Sequence, residues 1–495
     1  MAGFSRTAYT ECPTNVVREG RSVPKVRRMK LYNVVAQELG RMIRSDSLRV
    51  GDKLPSVRML CRSRGVSPST VLSAYASLES VGLIHSRPRS GYFVSARPKP
   101  PVPRQSLPRS NSTRVAVSDL VFDILDASRD REVVPLGSAF PNPHQFPWTN
   151  LARYLGSSAR RMEPWSTVES LPPGSMELRR QIARRYLRMG MTIDVREIVI
   201  TAGALEALNL ALQTVVRPGD TIAIESPAFY GCLQAAERLG LNVVEVPTDP
   251  QKGLDLDALS KAISKHSVRA VWCMTTLQHP TGATMTADRK RELVRILSIH
   301  GIPLIEDDVY AELQFAAVPT VPSKAFDKSG LVLHCGSFSK CLAPGYRIGW
   351  VAAGRFADDV ARRKIESSLG TSLPIQLGIA QMLKFGGYES HLVRFRRFLA
   401  NQQALALESM RRHFPAGYRV AAPMGGYFLW VECAPGIDSL VIHRQAVDSG
   451  ITIAPGPMFS ARRQYRNYIR LNYGHPWTPE MDQAIRRLGQ LLRRV

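Results

Sequence analysis

Seven short apolar runs recur between residues 197 and 354: EIVIT, TIAIES, NVVEVP, AVWCMTT, PLIEDD, LVLHCGSF and GWVAAG. Helix-length stretches separate most of them. Strand–helix alternation of this kind predicts a mostly parallel sheet covered by helices, an α/β architecture. From about Gly386 the pattern changes to that of a smaller α+β domain. At 495 residues the chain exceeds what one ordinary core holds, so two or three domains are expected.

The first hundred residues read differently. Residues 1–27 are polar, basic and aperiodic, the composition of a disordered tail. Leu31, Val34, Val35, Leu39, Met42 and Ile43 then recur at helical spacing. RVGDKLPS interrupts them, a short helix follows over Val57–Arg64, GVS makes a turn, and a third helix runs to about Val81. GLIHSRPRSGYFVS reads as two strands, Leu83–Ser86 and Gly91–Val94, around a basic turn. In the third helix Val71, Ala74, Tyr75 and Leu78 share one face. Ser67 is placed to cap it, with Pro68 at its first position. Residues 96–118 begin as ARPKPPVPRQSLPRSNSTR, whose proline, serine and arginine predict an extended, semi-rigid linker. Residues 119–495 follow as the large unit.

Charge separates the two parts further. Residues 1–114 carry 21 of the 66 Lys/Arg and 6 of the 41 Asp/Glu, so more than half of the +25 net charge lies in under a quarter of the chain. Such a segment suits a polyanion, most commonly nucleic acid. The seven cysteines are scattered and never spaced C-x-x-C, which argues against a disulfide framework or a metal site and for a reducing cytoplasm. No apolar run approaches the roughly 20 residues of a membrane helix, and no signal-peptide core is evident.

Helix, helix, turn, helix and a two-stranded basic wing form the pattern of a winged helix-turn-helix. Ser69, Thr70 and Ser73 lie on the outer face near the N-terminus of the third helix, the end that meets base edges in a major groove. Arg58, Arg62 and Arg64 flank it, and Arg87 and Arg89 sit on the wing, placed for phosphate contact. The stretch from LYNVVAQELGRMI to GYFV resembles the DNA-binding domain of the GntR family over residues 28–95. The resemblance assigns Arg58, Ser67, Ser69, Thr70, Ser73, Arg87, Arg89 and Gly91 to double-stranded operator DNA. Pro68 and Leu72 stand where many relatives carry arginine, which shifts the expected readout toward Ser/Thr contacts and DNA shape.

GSFSKCLAPGYRIGW, residues 336–350, raises a separate chemistry. A lysine that condenses with an aldehyde must be held beside it and partly desolvated. Pyridoxal 5'-phosphate (PLP) asks for such a lysine. It also asks for an acid at its ring nitrogen, a donor at its phenolic oxygen, a stacking face and a phosphate cradle. Lys340 supplies the first, as the candidate catalytic lysine. Asp307 and Tyr310 in LIEDDVYAEL supply the acid and the donor. Phe229 offers the stacking face, and His279 in LQHPTG flanks the ring. Gly203, Ala204 and Leu205 open a helix whose N–H groups favour a phosphate, with Ser337, Ser339 and Arg347 completing its site.

This ordered set resembles the fold-type I PLP enzymes of the aspartate aminotransferase superfamily over residues 119–495. YIRLNYG then matches the family's carboxylate-binding arginine at Arg470. His279 stands for the usual Asn, Phe229 for the usual Tyr, and Ala204 and Leu205 for Ser and Gln. Glu169 aligns near a tyrosine that the partner subunit often lends. The two halves together resemble the MocR subfamily of bacterial transcription regulators. That resemblance implies a cytoplasmic homodimer whose aminotransferase-like domain senses an amino-acid or amine effector, or PLP itself, and alters operator binding. The alternative is an active aminotransferase with a secondary DNA-binding domain.

Overall fold

The computed structural model describes residues 31–44, 47–49, 51–80, 83–87, 90–95, 100–126, 133–316 and 318–494. The predicted tail 1–27 and Arg89 lie outside the described residues. The chain divides into two compact units, Met1–Pro98 and Lys99–Val495.

The first unit holds three helices, α1 (Leu31–Arg44), α2 (Val57–Arg64) and α3 (Pro68–Ser80), and two strands, β1 (Ile84–Arg87) and β2 (Gly91–Val94). Local chemistry sets the ends. Ser56 accepts from the Met59 amide to cap α2, and Gly65 closes it in the left-handed region at φ 62°. The Ser67 hydroxyl accepts from the Thr70 amide at 3.2 Å and so caps α3. Val71, Ala74, Tyr75 and Leu78 are buried, packing with Val35, Leu39, Leu54, Leu60 and Ile84 in one small core. β1 and β2 pair antiparallel with Arg87 opposite Gly91, where φ is 98° and a side chain would strain the turn.

The second unit is built on a nine-stranded sheet. In chain order its strands are β3 (Thr113–Arg114), β4 (Ile198–Thr201), β5 (Thr221–Ser226), β6 (Asn242–Asp249), β7 (Gly253–Leu254), β8 (Val268–Cys273), β9 (Leu304–Asp307), β10 (Val332–Ser337) and β11 (Gly349–Ala352). The sheet order is β3-β6-β5-β8-β9-β10-β11-β4, with β7 beside β6. β6, β5, β8, β9 and β10 run parallel, while β11 is antiparallel to both β10 and β4. The C-terminal ends of β4, β5, β8, β9 and β10 therefore face the same way, and the loops leaving them gather at one edge. In parallel sheets that edge is where ligands bind. Helices such as Ala204–Val215 and Ala287–Ile299 bury their apolar residues against the faces of the sheet.

A smaller antiparallel sheet, β12 (Arg419–Val420), β13 (Phe428–Glu432), β14 (Ala454–Pro455) and β15 (Tyr468–Asn472), in the order β12-β13-β15-β14, accompanies the long helix Tyr388–His413. The second unit thus has the large sheet and the small α+β portion expected from the sequence, the large sheet being parallel except for β3, β7 and β11.

The segment expected to be a linker is extended but not loose from residue 100 onward. Its prolines fix the backbone and remove donors, and the groups left over find partners within the second unit. Pro101 O accepts from the Val420 amide at 2.9 Å, and the Arg104 amide donates to Glu432 Oε2 at 2.9 Å. Ser106 is buried: its amide donates to Thr248 O, and its Oγ accepts from the Thr248 amide at 2.7 Å. Thr113–Arg114 then joins the sheet edge as β3, beside β6.

Candidate functional site

Five sheet loops deliver the predicted residues to one cavity. It has a volume of about 430 Å³, in the range of small-molecule sites, and its wall includes Ala204, Leu205, Phe229, His279, Asp307, Tyr310, Ser337, Ser339, Lys340 and Arg347. Ala204 and Leu205 follow β4, Phe229 follows β5, His279 follows β8, Asp307 ends β9, and Lys340 follows β10. Spread over 137 positions of sequence, these residues meet because parallel strands end at a common edge.

Asp307 is buried in the wall. It is 1% exposed, and its Oδ1 has no hydrogen-bond partner among the described residues. Burial, with the neighbouring Asp308 adding to it, pushes its carboxyl up to about 7, against the pull of the Val309 amide and of Lys340. A buried acid with one oxygen unmet fits a cationic donor such as a protonated ring nitrogen. Burial, aided by the positive charges of Arg470 and Arg347, lowers the Lys340 amine to about 7. That keeps much of it neutral and nucleophilic near neutral pH. Its Nζ donates to Ala139 O at 2.9 Å and lies 4.0 Å from the centre of the Phe140 ring.

The phosphate end is a cradle of backbone. Gly203 precedes helix Ala204–Val215 with φ 91°, and a Cβ there would stand 2.6 Å from the Arg347 guanidinium. Arg347 is itself left-handed at φ 50° and reaches toward Ser339 Oγ and Ala202 O, each at 3.4 Å. Ser337 is committed inward, donating to Ile348 O and accepting from the Ser339 amide. Arg347, Ser339 and the helix amides remain for an anion. An unmet buried acid, a lysine with lowered pKa and a glycine cradle fit PLP. Lys340, Asp307, Arg347, Ser339, Phe229 and Tyr310 are the residues that would hold it.

Arg470 stands in β15 and is 1% exposed. Its guanidinium donates to His279 Nε2 at 3.0 Å, to Ser138 O at 3.0 Å and to Gly137 O, and stacks on Phe428 with its centre 4.3 Å away. His279 is 3% exposed and sits among the rings of Phe229, Phe428 and Phe459. Burial first, and then the Arg470 charge, hold its imidazole well below the usual range, so the ring is neutral.

Residues 137–140, GSAF, are one part of this site that the sequence reading missed, as are the wall residues Leu125, Leu208, Gln234 and Met274. The GSAF segment carries no charge and no periodicity, and it matters through its carbonyls, which no sequence pattern advertises. Glu169 falls in a 3₁₀ segment, Pro164–Ser170.

In the first unit Ser69 and Ser73 are exposed on α3, as is Arg58 on α2. Ser67 is partly spent locally, since its hydroxyl also meets Ser69 Oγ at 2.9 Å and Thr70 Oγ1 at 2.8 Å. Arg64 pairs with Glu38 at 2.6 Å, so its charge is partly answered within the unit. Arg87 lies over the Phe93 ring at 4.6 Å with its face open.

Among the described residues no cluster of His, Cys, Asp or Glu is arranged to hold a metal ion, and no helix is long and apolar enough to cross a membrane. Residues 31–94 match the family model of bacterial regulatory proteins, gntR family, and residues 167–488 match that of aminotransferase class I and II. Over 469 residues the chain is 44% identical to the uncharacterized HTH-type transcriptional regulator YdcR of Escherichia coli, covering 94% of this chain and 99% of that one. It is 36% identical to YjiR of the same organism over 474 residues, with 94% and 100% covered. The crystal structure of the multiple substrate aminotransferase from Thermococcus profundus superimposes with a TM-score of 0.69 at 28% identity, covering 76% of this chain and 94% of that one.

Proposed function

The chain belongs to the MocR-type transcription regulators, a GntR DNA-binding domain followed by an aminotransferase class I/II domain that uses PLP, and from that premise we propose that its second unit is an effector sensor. The observation that carries this reading is the meeting of Lys340 and Asp307 in the wall of one cavity that amino acids could enter, with the buried Arg470 directly behind the wall residue His279. When bound, PLP supplies an aldehyde for an amine and a ring that withdraws electrons. The effector is an amino acid or amine, and for an amino acid Arg470 takes the α-carboxylate bidentately.

The contacts of Arg470 give this a physical route. A carboxylate on its guanidinium competes with Gly137 O, Ser138 O and His279, which it now holds. The loop just before β15 is tied to the extended segment that follows the DNA-binding unit in sequence. Arg462 donates to Asn111 O, Arg463 to Ala116 O, and Tyr465 OH bonds Ser226 Oγ, whose own amide donates to Thr248. Thr248 is the partner of Ser106. Occupancy at Arg470 thus bears on residues 101–117, and through them on DNA binding, by shifting populations between two states.

The cytoplasm is the proposed location. A homodimer with paired DNA-binding units and paired half-sites is the proposed assembly. Arg58, Ser67, Ser69, Thr70, Ser73, Arg87, Arg89 and Gly91 are its proposed DNA contacts. Residues 28–95, 96–118 and 119–495 are the proposed divisions, with the small portion from about 386.

A second reading, a working aminotransferase, is favoured by the completeness of the Lys340, Asp307, Tyr310, Arg347 and Arg470 set. One experiment separates the two. Visible absorption of the PLP-loaded chain is followed with a panel of amino acids, with Lys340→Ala as control. A lasting shift without keto-acid release supports the sensor. Keto-acid release and reversal by added keto acid support the enzyme. No shift with any compound contradicts both.

A further inference from the structure

The charges that line the cavity are few, and each has a task. Asp307, Lys340 and Arg347 are its charged wall residues, and Arg470 is reached through His279. On the reading above, the first three hold the cofactor's ring nitrogen, aldehyde and phosphate, and Arg470 holds a carboxylate. No other charged side chain of the described residues lines the cavity. The rest of the wall carries no charge: Leu125, Phe140, Leu205, Leu208 and Met274 are among its apolar residues, and Tyr230 and Gln234 add a hydroxyl and an amide.

Phe140 is held in place by the small sheet. Arg470 and Asn472 are two residues apart in β15 and so point to the same face. Together they grip the segment 137–140 by its carbonyls. Arg470 takes Gly137 O and Ser138 O, and Asn472 Nδ2 donates to Ser138 O at 2.9 Å and to Phe140 O at 2.7 Å. The grip sets the Phe140 ring 4.0 Å from Lys340 Nζ while 42% of the residue stays exposed.

We propose that the effector is an amino acid with an apolar or aromatic side chain and no second charge, and that Phe140 is the residue that selects it. The proposal rests on the reading that an amino acid enters this cavity with its carboxylate on Arg470. Its amine must come to where Lys340 Nζ lies, and its carboxylate must meet Arg470. The side chain on the carbon between them then stands beside Phe140. An apolar chain covers the ring and removes both surfaces from water. A carboxylate there gives up hydration and meets no cationic side chain left free for it, and an ammonium gains only the ring face, which Lys340 Nζ already approaches.

The test is a spectral titration of the full-length, PLP-loaded protein. L-phenylalanine, L-leucine and L-methionine are compared with L-glutamate, L-aspartate and L-lysine, with L-alanine as the reference. The apolar set is expected to half-saturate the visible band at concentrations at least tenfold below the charged set. Phe140→Ala is expected to weaken L-phenylalanine about tenfold and L-alanine by less than about threefold. If the Ala variant loses PLP, Phe140→Leu gives the same comparison, with the aromatic preference over leucine reduced. Half-saturation by glutamate, aspartate or lysine at or below the apolar concentrations overturns the effector class while leaving the site reading intact. Equal weakening of alanine and phenylalanine in the variants overturns the role of Phe140. Silence of the band to every compound overturns the site reading and this class with it.

Discussion

The guanidinium of Arg470 donates to Nε2 of His279 across 3.0 Å, inside a shell of aromatic rings. A neutral imidazole that accepts at Nε2 carries its proton at Nδ1, and Nδ1 has no partner among the described residues. His279 is therefore a fixed acceptor toward Arg470 and an unmet donor on its other side. The asparagine usual at this position could also accept, but it does not titrate.

That difference gives a pH signature. Burial and Arg470 depress the folded pKa of His279 well below 6.5. Below pH 6.5 the unfolded chain gains a proton that the folded chain refuses, so this residue subtracts stability as pH falls. The loss grows by about 1.4 kcal/mol per pH unit until the folded pKa is reached. Denaturation of wild type and His279→Asn at pH 7.5, 6.0 and 5.0 is expected to show the variant gaining on the wild type toward acid. A constant difference would place the imidazole outside this account.

Asp307 is predicted to matter most for cofactor retention. Its carboxyl, raised to about 7 by burial, becomes ionised when a cationic ring nitrogen meets it. Asp307→Asn removes a charge-assisted hydrogen bond, a loss of about 1.5–3 kcal/mol. The PLP dissociation constant, read by absorbance titration, is expected to rise about 10- to 100-fold without a large change in thermal stability of the apoprotein.

Gly203→Ala tests the phosphate cradle. The new Cβ would lie 2.6 Å from the Arg347 guanidinium, at a backbone φ of 91° that disfavours alanine. Strain of about 1–3 kcal/mol and displacement of Arg347 are expected. Affinity for PLP should fall, while affinity for pyridoxal without the phosphate should change little.

Ser106→Ala tests whether the extended segment is fastened to the second unit. Ser106 Oγ accepts from the buried Thr248 amide at 2.7 Å. Removing the hydroxyl leaves that N–H without this acceptor, which costs about 1–3 kcal/mol. The expected outcome is a lowered unfolding midpoint, with faster hydrogen exchange at Thr248 and in residues 101–117.

Much of this was legible in the sequence because the chemistry is written in order along the chain. Strand runs predicted the sheet, and Ala204, Phe229, His279, Asp307 and Lys340 sit at or after the ends of its strands, so a parallel sheet brings them to one edge. The face formed by Val71, Ala74, Tyr75 and Leu78 followed from helical spacing alone. What escaped depends on long-range partners. Composition marks residues 96–118 as proline-rich and extended, but the partners of Pro101, Arg104 and Ser106 are more than a hundred positions away. Phe140 escaped too, because it is placed by Asn472, a residue over three hundred positions later.

The most direct measurement is the affinity of the PLP-loaded chain for operator DNA, with and without a saturating amino acid. The probe is a duplex selected from a random pool by the purified protein, and the amino acid is one that saturates the visible band. A coupling free energy of about 1–3 kcal/mol corresponds to a change in affinity of about 5- to 150-fold. The account predicts a change in that range, or a changed footprint, for the wild type and none for Lys340→Ala. Unchanged affinity and footprint in the wild type, with the cavity demonstrably occupied, would contradict it.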